Sequence, residues 1–359
     1  MRLGRYKHPA KGFAAWILGL LKDIARSFRS PEEKVQDVPS GEPKERAARP
    51  AFLLRCIVFS DTDNDVDSVK TTLHFAGITN EGDEFSDNLE GVTIFHTGDY
   101  VDKKNPDLSV VRYWQSLRQK AVRKGCYVKL IAGNHEQEIW QRLRAGERYG
   151  LDLQQTQVLN DFIESLDLFH VVGRVLLIHG YPTLEFLQAL LHFKEVTGED
   201  LNRFNHDHYK KAFISTNALR QYAYVKESRK TNHLLYDVAD ANRYYRKRGK
   251  LIGDILEKLN IGIVVHGHKP RRSGTQADYE FADWIPNIRM IGNDTSVSRR
   301  GIGATIFRVT SRGAVDIDFI NTDTESDELR RKVQEVLSEP FEPDTEGLFV
   351  DTQPPTGGR

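Results

Sequence analysis

The chain has 359 residues, 39% of them hydrophobic and 28% charged. That is a globular balance, and the length fits one large domain or two ordinary ones. Lys+Arg and Asp+Glu both number 51, so net charge gives no pointer to nucleic acid, and no apolar run reaches the roughly 18 residues of a bilayer-spanning helix. The two cysteines, Cys56 and Cys126, sit in apolar strand-like runs. This fits buried thiols in a reducing, cytoplasmic compartment and excludes a disulfide framework.

The zero balance hides an asymmetry. Residues 1–29 carry seven Lys/Arg and one Asp, whereas residues 321–359 carry ten Asp/Glu and four Lys/Arg. Within the basic end, residues 13–28 predict a helix. Phe13, Trp16, Ile17, Leu20, Leu21, Ile24 and Phe28 share one face, and Lys11, Lys22, Arg26 and Arg29 lie opposite. Such a helix suits either peripheral contact with an anionic membrane through residues 11–29 or docking on its own domain or a partner. A cleaved signal peptide is disfavoured, because the short apolar run leads into charged residues. Residues 30–50 are rich in proline and charge with no apolar period and read as a linker, so an ordered domain is expected over 51–321.

From there strands and helices alternate. Apolar, β-branched runs at 54–60, 92–97, 127–132, 174–179 and 261–266 predict strands, with helical patterns at 108–124 and 152–167 between them. That alternation predicts a layered α/β fold with buried strands. Residues 184–257 read as a mainly helical insertion rich in Tyr, Phe, Lys and Arg. Runs at 288–292, 304–309 and 314–320 are more hairpin-like, and the acidic tail 322–359 holds one short helix before a Pro/Gly-rich end.

The residues that follow the strands carry the chemistry. The first strand runs into Asp61-Thr62-Asp63, the second into Gly98-Asp99-Tyr100-Val101-Asp102, and the third into Gly133-Asn134-His135-Glu136. The fourth ends at His179-Gly180 and the fifth at His266-Gly267-His268. In an open α/β sheet, ligands gather at the carboxyl ends of strands. A lone histidine there is usually structural and a lone aspartate usually a cap. Five strands delivering carboxylate, amide and imidazole groups to one edge instead suit Mn, Fe, Zn or Mg. A local calcium loop starting at Asp61 is excluded. An EF-hand needs Gly at its sixth position and Glu at its twelfth, where this chain has Val66 and Thr72. Asp65 and Asp67 read as turn and helix-capping residues.

These blocks, in this order, resemble the calcineurin-like metallophosphoesterases. Within them the pattern is closest to the phosphoprotein-phosphatase branch, which includes serine/threonine phosphatases and bacterial diadenosine-tetraphosphatase-like enzymes. Gly-Asp-Tyr-Val-Asp at 98–102 and Gly-Asn-His-Glu at 133–136 are the specific blocks, Pro270 fits the same branch, and the resemblance spans about residues 53–320. It implies a four-layer α/β/β/α sandwich and two divalent metal ions, Mn foremost, with Fe, Mg or Zn as alternatives. Asp61, Asp63 and Asp99 would hold one metal; Asp99, Asn134, His179 and His268 would hold the other. A metal-bridging hydroxide would attack phosphorus, His135 would protonate the leaving oxygen, and Asp102 would orient His135. Lys103, His266 and Arg271 would contact phosphate. The implied substrate is a phosphorylated protein, nucleotide or small molecule, and no specific nucleic acid is expected.

Three positions depart from the pattern. Asp63 replaces a histidine, which favours Mn or Mg over Zn or else weakens the first site. Lys103 replaces a phosphate-binding arginine, and Tyr181 replaces a glycine and is expected to crowd the site. Two other readings therefore stay open: a dinucleoside-polyphosphate hydrolase, and a scaffold of the same fold that has lost catalysis and binds a partner.

Overall fold

The computed structural model describes residues 53–205 except 81 and 88, residues 238–268, residues 281–294 except 282, and residues 304–310, 315–320 and 326–338. The expected N-terminal helix and linker, residues 206–237 of the expected insertion, Pro270, Arg271 and the end of the acidic tail lie outside the described residues.

Two mixed sheets form the centre. The first has the order β3-β2-β1-β8-β9, built from β1 (Leu53–Phe59), β2 (Val92–His96), β3 (Tyr127–Leu130), β8 (Ala304–Thr310) and β9 (Val315–Ile320). The second has the order β4-β5-β6-β7, built from β4 (Phe169–Val172), β5 (Val175–Ile178), β6 (Ile263–His266) and β7 (Arg289–Gly292). The strands β1, β2 and β3 run parallel, as do β5, β6 and β7, whereas β8, β9 and β4 pair antiparallel with their neighbours. Seven α-helices are described: α1 (Val66–Phe75), α2 (Leu108–Arg123), α3 (Asn134–Arg144), α4 (Leu153–Glu164), α5 (Leu184–Thr197), α6 (Val238–Lys258) and α7 (Ser326–Ser338).

The period of two in the strands explains the layering. On β1, Ile57 and Phe59 face one core with Leu73 of α1, Trp114 of α2, Phe162 of α4 and Val333 of α7. The alternate residues Cys56 and Val58 face a second core with Phe95 and Phe307, together with Leu177 and Val265 of the other sheet. The outer face of that sheet, through Leu176 and Val264, joins Leu187 of α5 and Leu256 of α6 in a third core. Three cores between helix, sheet, sheet and helix give the four layers α/β/β/α. Both faces of the central strands are buried, which is why they read as continuous apolar runs.

Register aligns the strand ends. Phe59 pairs with His96, and His96 with Leu130, while Ile178 pairs with His266, and His266 with Gly292. Each set of three parallel strands therefore stops at one level and releases its polar residues on one edge. Backbone bonds carry the contact beyond the strands: Asp61 N–H donates to Gly98 O, Thr62 and Asp63 N–H to Asp99 O, and Asn64 N–H to Tyr100 O, at 2.9–3.1 Å.

Candidate metal centre

Four acids and imidazoles at this edge sit in left-handed backbone: Asp61 (φ 45°), Asp63 (φ 45°), Asp99 (φ 57°) and His268 (φ 73°). Non-glycine residues reach this region at a cost of about 1–3 kcal/mol each, and such strain clusters at functional sites. Gly98 (φ 108°) is required for a second reason: a Cβ there would lie 2.6 Å from the Gly133 backbone and 2.7 Å from His179 Nδ1.

Glu136, on the first turn of α3, is the anchor beneath the site. It is fully buried. Its carboxylate accepts N–H bonds from Asp99, Tyr100 and Gly133 at 2.8–2.9 Å and a longer one from Val101 at 3.3 Å. One side chain thus fixes the loops after both β2 and β3. The Gly-Asn-His-Glu block named this residue, but its anchoring role emerges only when the two loops are seen together. Asn64 ties the rim in the same way, accepting from Asp102 N–H and Asp107 N–H and donating to Asn105 O.

Around Asp99, four of the expected ligands, Asp63, Asp99, His179 and His268, converge with His135. Oxygen and nitrogen atoms of Asp99, His179 and His268 lie within 4.8 Å of one another, and so do those of Asp63, Asp99 and His135. The two groups share Asp99. Asn134 joins the first, its Oδ1 lying 3.0 Å from His179 Nε2. Asp61 lies alongside: its Oδ2 accepts from His268 N–H at 2.9 Å and from the Ser60 hydroxyl. His266 Nδ1 lies 3.0 Å from Gly267 O.

Hydrogen positions follow from the partners. His179 Nδ1 lies 2.7 Å from Thr97 O; a carbonyl only accepts, so Nδ1 carries the hydrogen. The lone pair of Nε2 then faces Asn134 Oδ1 at 3.0 Å, His268 Nδ1 at 3.3 Å and Asp99 Oδ1 at 3.4 Å. Acceptors facing one another need a cation or a proton between them. With no metal, the proton fills that place. Burial alone would lower the His179 pKa, but Asp99, Asp61 and Glu136 push it up to about 10. Burial, with His179 beside it, pulls His268 down to about 3. Burial would raise Asp99, yet His179, His135 and His268 hold it well below the usual carboxylate range. Burial, Asp294 and Asp99 raise Asp61. Asp63 Oδ1 is buried without a hydrogen bond. It lies 3.2 Å from His135 Nδ1, but that nitrogen's hydrogen goes to Val101 O at 3.0 Å. Crowded carboxylates and a mixed O/N donor set fit divalent metal ions.

Several expectations change here. Asp102 does not orient His135: its carboxylate accepts from Lys104 and Asn105 N–H at 2.8 and 3.0 Å, closing its own turn. Asp63 is the carboxylate beside His135 instead. Lys103 pairs with Glu138 of α3 at 3.6 Å. His266, expected at a phosphate, is 1% exposed and packs against the Tyr181 ring at 4.4 Å between centroids, so it forms a wall behind the ligands. Tyr181 does not crowd the site; it is buried in the third core against Tyr245 and Phe281. Asp294, following β7, was not singled out from the sequence, yet it is buried and acts electrostatically on Asp61.

A family profile described as calcineurin-like phosphoesterase matches residues 54–272. No curated protein matches the chain. Solved structures to which it is similar include a cold-active protein-tyrosine phosphatase of a psychrophilic Shewanella species (17% identity over 73% of this chain and 80% of that one, TM-score 0.48). A protein serine/threonine phosphatase from Saccharomyces cerevisiae (13%, 75% and 80%, 0.43) and a metallophosphoesterase from Sphaerobacter thermophilus (13%, 79% and 96%, 0.36) are also similar.

Proposed function

On the premise that this chain belongs to the calcineurin-like phosphoesterase family of metal-dependent hydrolases, we propose that it is a phosphatase using two divalent metal ions, Mn foremost, to cleave phosphate monoesters. The observation that carries this reading is the pair of overlapping donor groups that share Asp99. Asp61, Asp63 and Asp99 would hold one ion; Asp99, Asn134, His179 and His268 would hold the other. Such ions neutralise phosphate charge and lower the pKa of water so that it attacks at neutral pH.

The chain's own residues supply the proton. His135 Nδ1–H is fixed on Val101 O, which leaves Nε2 as the nitrogen that protonates the leaving oxygen. Burial alone would lower the His135 pKa, but Asp63, Asp99 and Glu136 push it up to about 9, so the ring carries that proton near neutrality. Asp63 has two roles in this reading, metal ligand and charge partner of the acid, which accounts for a carboxylate at this position. Phosphorylated proteins are the proposed substrate class, with nucleotides as the competing one.

The test is turnover of p-nitrophenyl phosphate by the purified full chain with Mn²⁺, followed by a screen of phosphoproteins and dinucleoside polyphosphates. Metal-dependent release of p-nitrophenol supports the reading. No turnover with any divalent metal would leave the fold as a binding scaffold.

A further inference from the structure

Helix α6 packs Tyr245, Ile252 and Leu256 into the third core and leaves Arg243, Arg246, Lys247 and Lys250 exposed. Positions i, i+3, i+4 and i+7 share one face of a helix, so the four cations form a single stripe. Every neighbouring pair within it is like-charged: Arg243 meets Arg246 and Lys247, and Lys250 meets the same two. Like charges at these spacings destabilise a helix. Other helices of the chain offset such charges: Arg142 pairs with Glu138 on α3 and Arg331 with Glu335 on α7, both four residues apart. Among the described residues, none of the four cations of the stripe forms an ion pair. Arg248, on the flank, differs, its guanidinium lying over the Tyr244 ring at 4.9 Å. A face that repels itself in the free chain fits an anionic counterpart from outside.

The same two turns of α6 are tied to the metal-binding edge. The Tyr245 hydroxyl donates to Pro182 O at 2.6 Å, and Leu184 N–H donates to the Tyr244 hydroxyl at 2.9 Å. Both partners lie three to five residues beyond His179. The Tyr181 ring bridges inward, 6.2 Å from Tyr245 and 4.4 Å from His266 between centroids. A helix is about 10 Å across and an extended peptide covers about 3.3 Å per residue. A peptide held at the metal centre therefore reaches the stripe within about five to ten residues.

Three observations select the counterpart. Asp254 and Glu257 are exposed on the same face, four and seven residues after Lys250. They end the positive stripe after about 10 Å, a length that fits three or four acidic residues of a peptide and not a broad anionic lipid surface. On the described part of α6, Leu251 is the one large apolar side chain that is exposed, which is too little to enter a bilayer. The chain's own acidic tail starts from α7, which packs through Val333 and Leu337 on the first core, on the opposite outer layer from α6. The counterpart is thus an acidic peptide of another molecule.

We propose that the stripe of Arg243, Arg246, Lys247 and Lys250 is a docking surface for an acidic segment of the phosphorylated protein substrate. The two arginines offer forked hydrogen bonds to carboxylates, and the two lysines add point charges. The partner's identity as substrate rests on the phosphatase reading; the binding of an acidic peptide to the stripe is tested without it.

The probe is a fluorescent, unphosphorylated peptide of about eight alternating Asp and Glu residues, added to the full chain without metal and followed by anisotropy. The chain should bind it, and binding should weaken as salt rises from about 50 to about 200 mM. A variant carrying Arg243→Gln, Arg246→Gln, Lys247→Gln and Lys250→Gln should bind at least about tenfold more weakly, the sum of several modest exposed pairs. Equal affinity overturns the proposal. Glutamine keeps the helix propensity and removes the repulsion, so the variant's urea midpoint should match or exceed that of the wild type. A lower midpoint would show that these side chains hold the fold and not a partner. Carbodiimide should cross-link Lys247 and Lys250 to the peptide. Links to residues 339–351 of the same chain instead would assign the stripe to the acidic tail, and flotation on phosphatidylserine vesicles that the variant loses would assign it to a membrane; either result overturns the proposal. The link to substrate is read from KM and kcat on two phosphopeptides that differ only in an acidic segment about five to ten residues from the phosphate. The wild type should favour the acidic one through KM, and the variant should lose that preference. Turnover of neither peptide would sink the phosphatase reading. Equal turnover of both by the wild type, with stripe binding intact, would sink the substrate assignment alone.

Discussion

Asp99 is where the demands of the site meet. Its carboxylate lies within reach of His135 and His179, its N–H is held by Glu136, and its φ of 57° aims it outward from the end of β2. Two substitutions separate chemistry from support around it. His135→Ala removes the proton donor, and turnover should fall about 10²–10⁴-fold while Mn²⁺ content is kept; a matching loss of metal would make His135 a ligand instead. Glu136→Ala strands the backbone N–H groups now bonded to one carboxylate. Each buried, unsatisfied donor costs about 1–3 kcal/mol, so unfolding free energy measured in urea should drop by about 3 kcal/mol or more. An unchanged value would show that water replaces the carboxylate. At this scale the sequence placed Asp63, Asp99, Asn134, His179 and His268 on one edge, where the structure brings them together, because residues after parallel strands have few directions open to them. It misjudged Asp102 and His266, because a side chain's orientation depends on which N–H or ring happens to be near. For Asp102 these were the amides of Lys104 and Asn105, two and three residues further on.

The elements were legible in proportion to their regularity. The β-branched runs at 92–97 and 127–132 became β2 and β3, each a residue or two shorter. Helices expected at 108–124 and 152–167 became α2 and α4. Strand β4 was not expected: its Phe169-His170-Val171-Val172 is short, and His170 interrupts its apolar pattern. The signal that could have found it is Gly173 (φ 58°), which turns the chain so that Val172 pairs with Val175. Asp65 behaved as read, capping α1 by accepting from Ser68 N–H at 2.9 Å. Asp65→Ala should therefore cost about 1 kcal/mol in urea unfolding and leave Mn²⁺ affinity within error. A large loss of metal binding would place Asp65 in the site rather than at the helix.

At the scale of the whole molecule, the site exists because two sheets pack with their parallel strand ends level, and that packing was not visible in any one segment. The alternation of Cys56 and Val58 with Ile57 and Phe59 needed the second sheet before its meaning as two cores was clear. The convergence also makes stability depend on pH. Without metal, His135 and His179 titrate at about 9 and about 10, against about 6.5 for an unfolded histidine. A raised folded pKa gives stability that is full below about 6.5 and lost as pH climbs through the folded values. The urea midpoint of EDTA-treated protein should thus fall between about pH 7 and pH 10, and Mn²⁺ should flatten that fall by taking the protons' place. A midpoint that holds steady over this window without metal would show that the two rings are not charged in the folded chain.

The central claim is a metal site whose two halves share Asp99, and titrating metal-free protein with Mn²⁺ while following both binding and p-nitrophenyl phosphate turnover tests it most directly. The account predicts two ions per chain, proton release on binding, and turnover that appears as the second ion binds. A single ion per chain, or turnover that persists with no metal present, would contradict it.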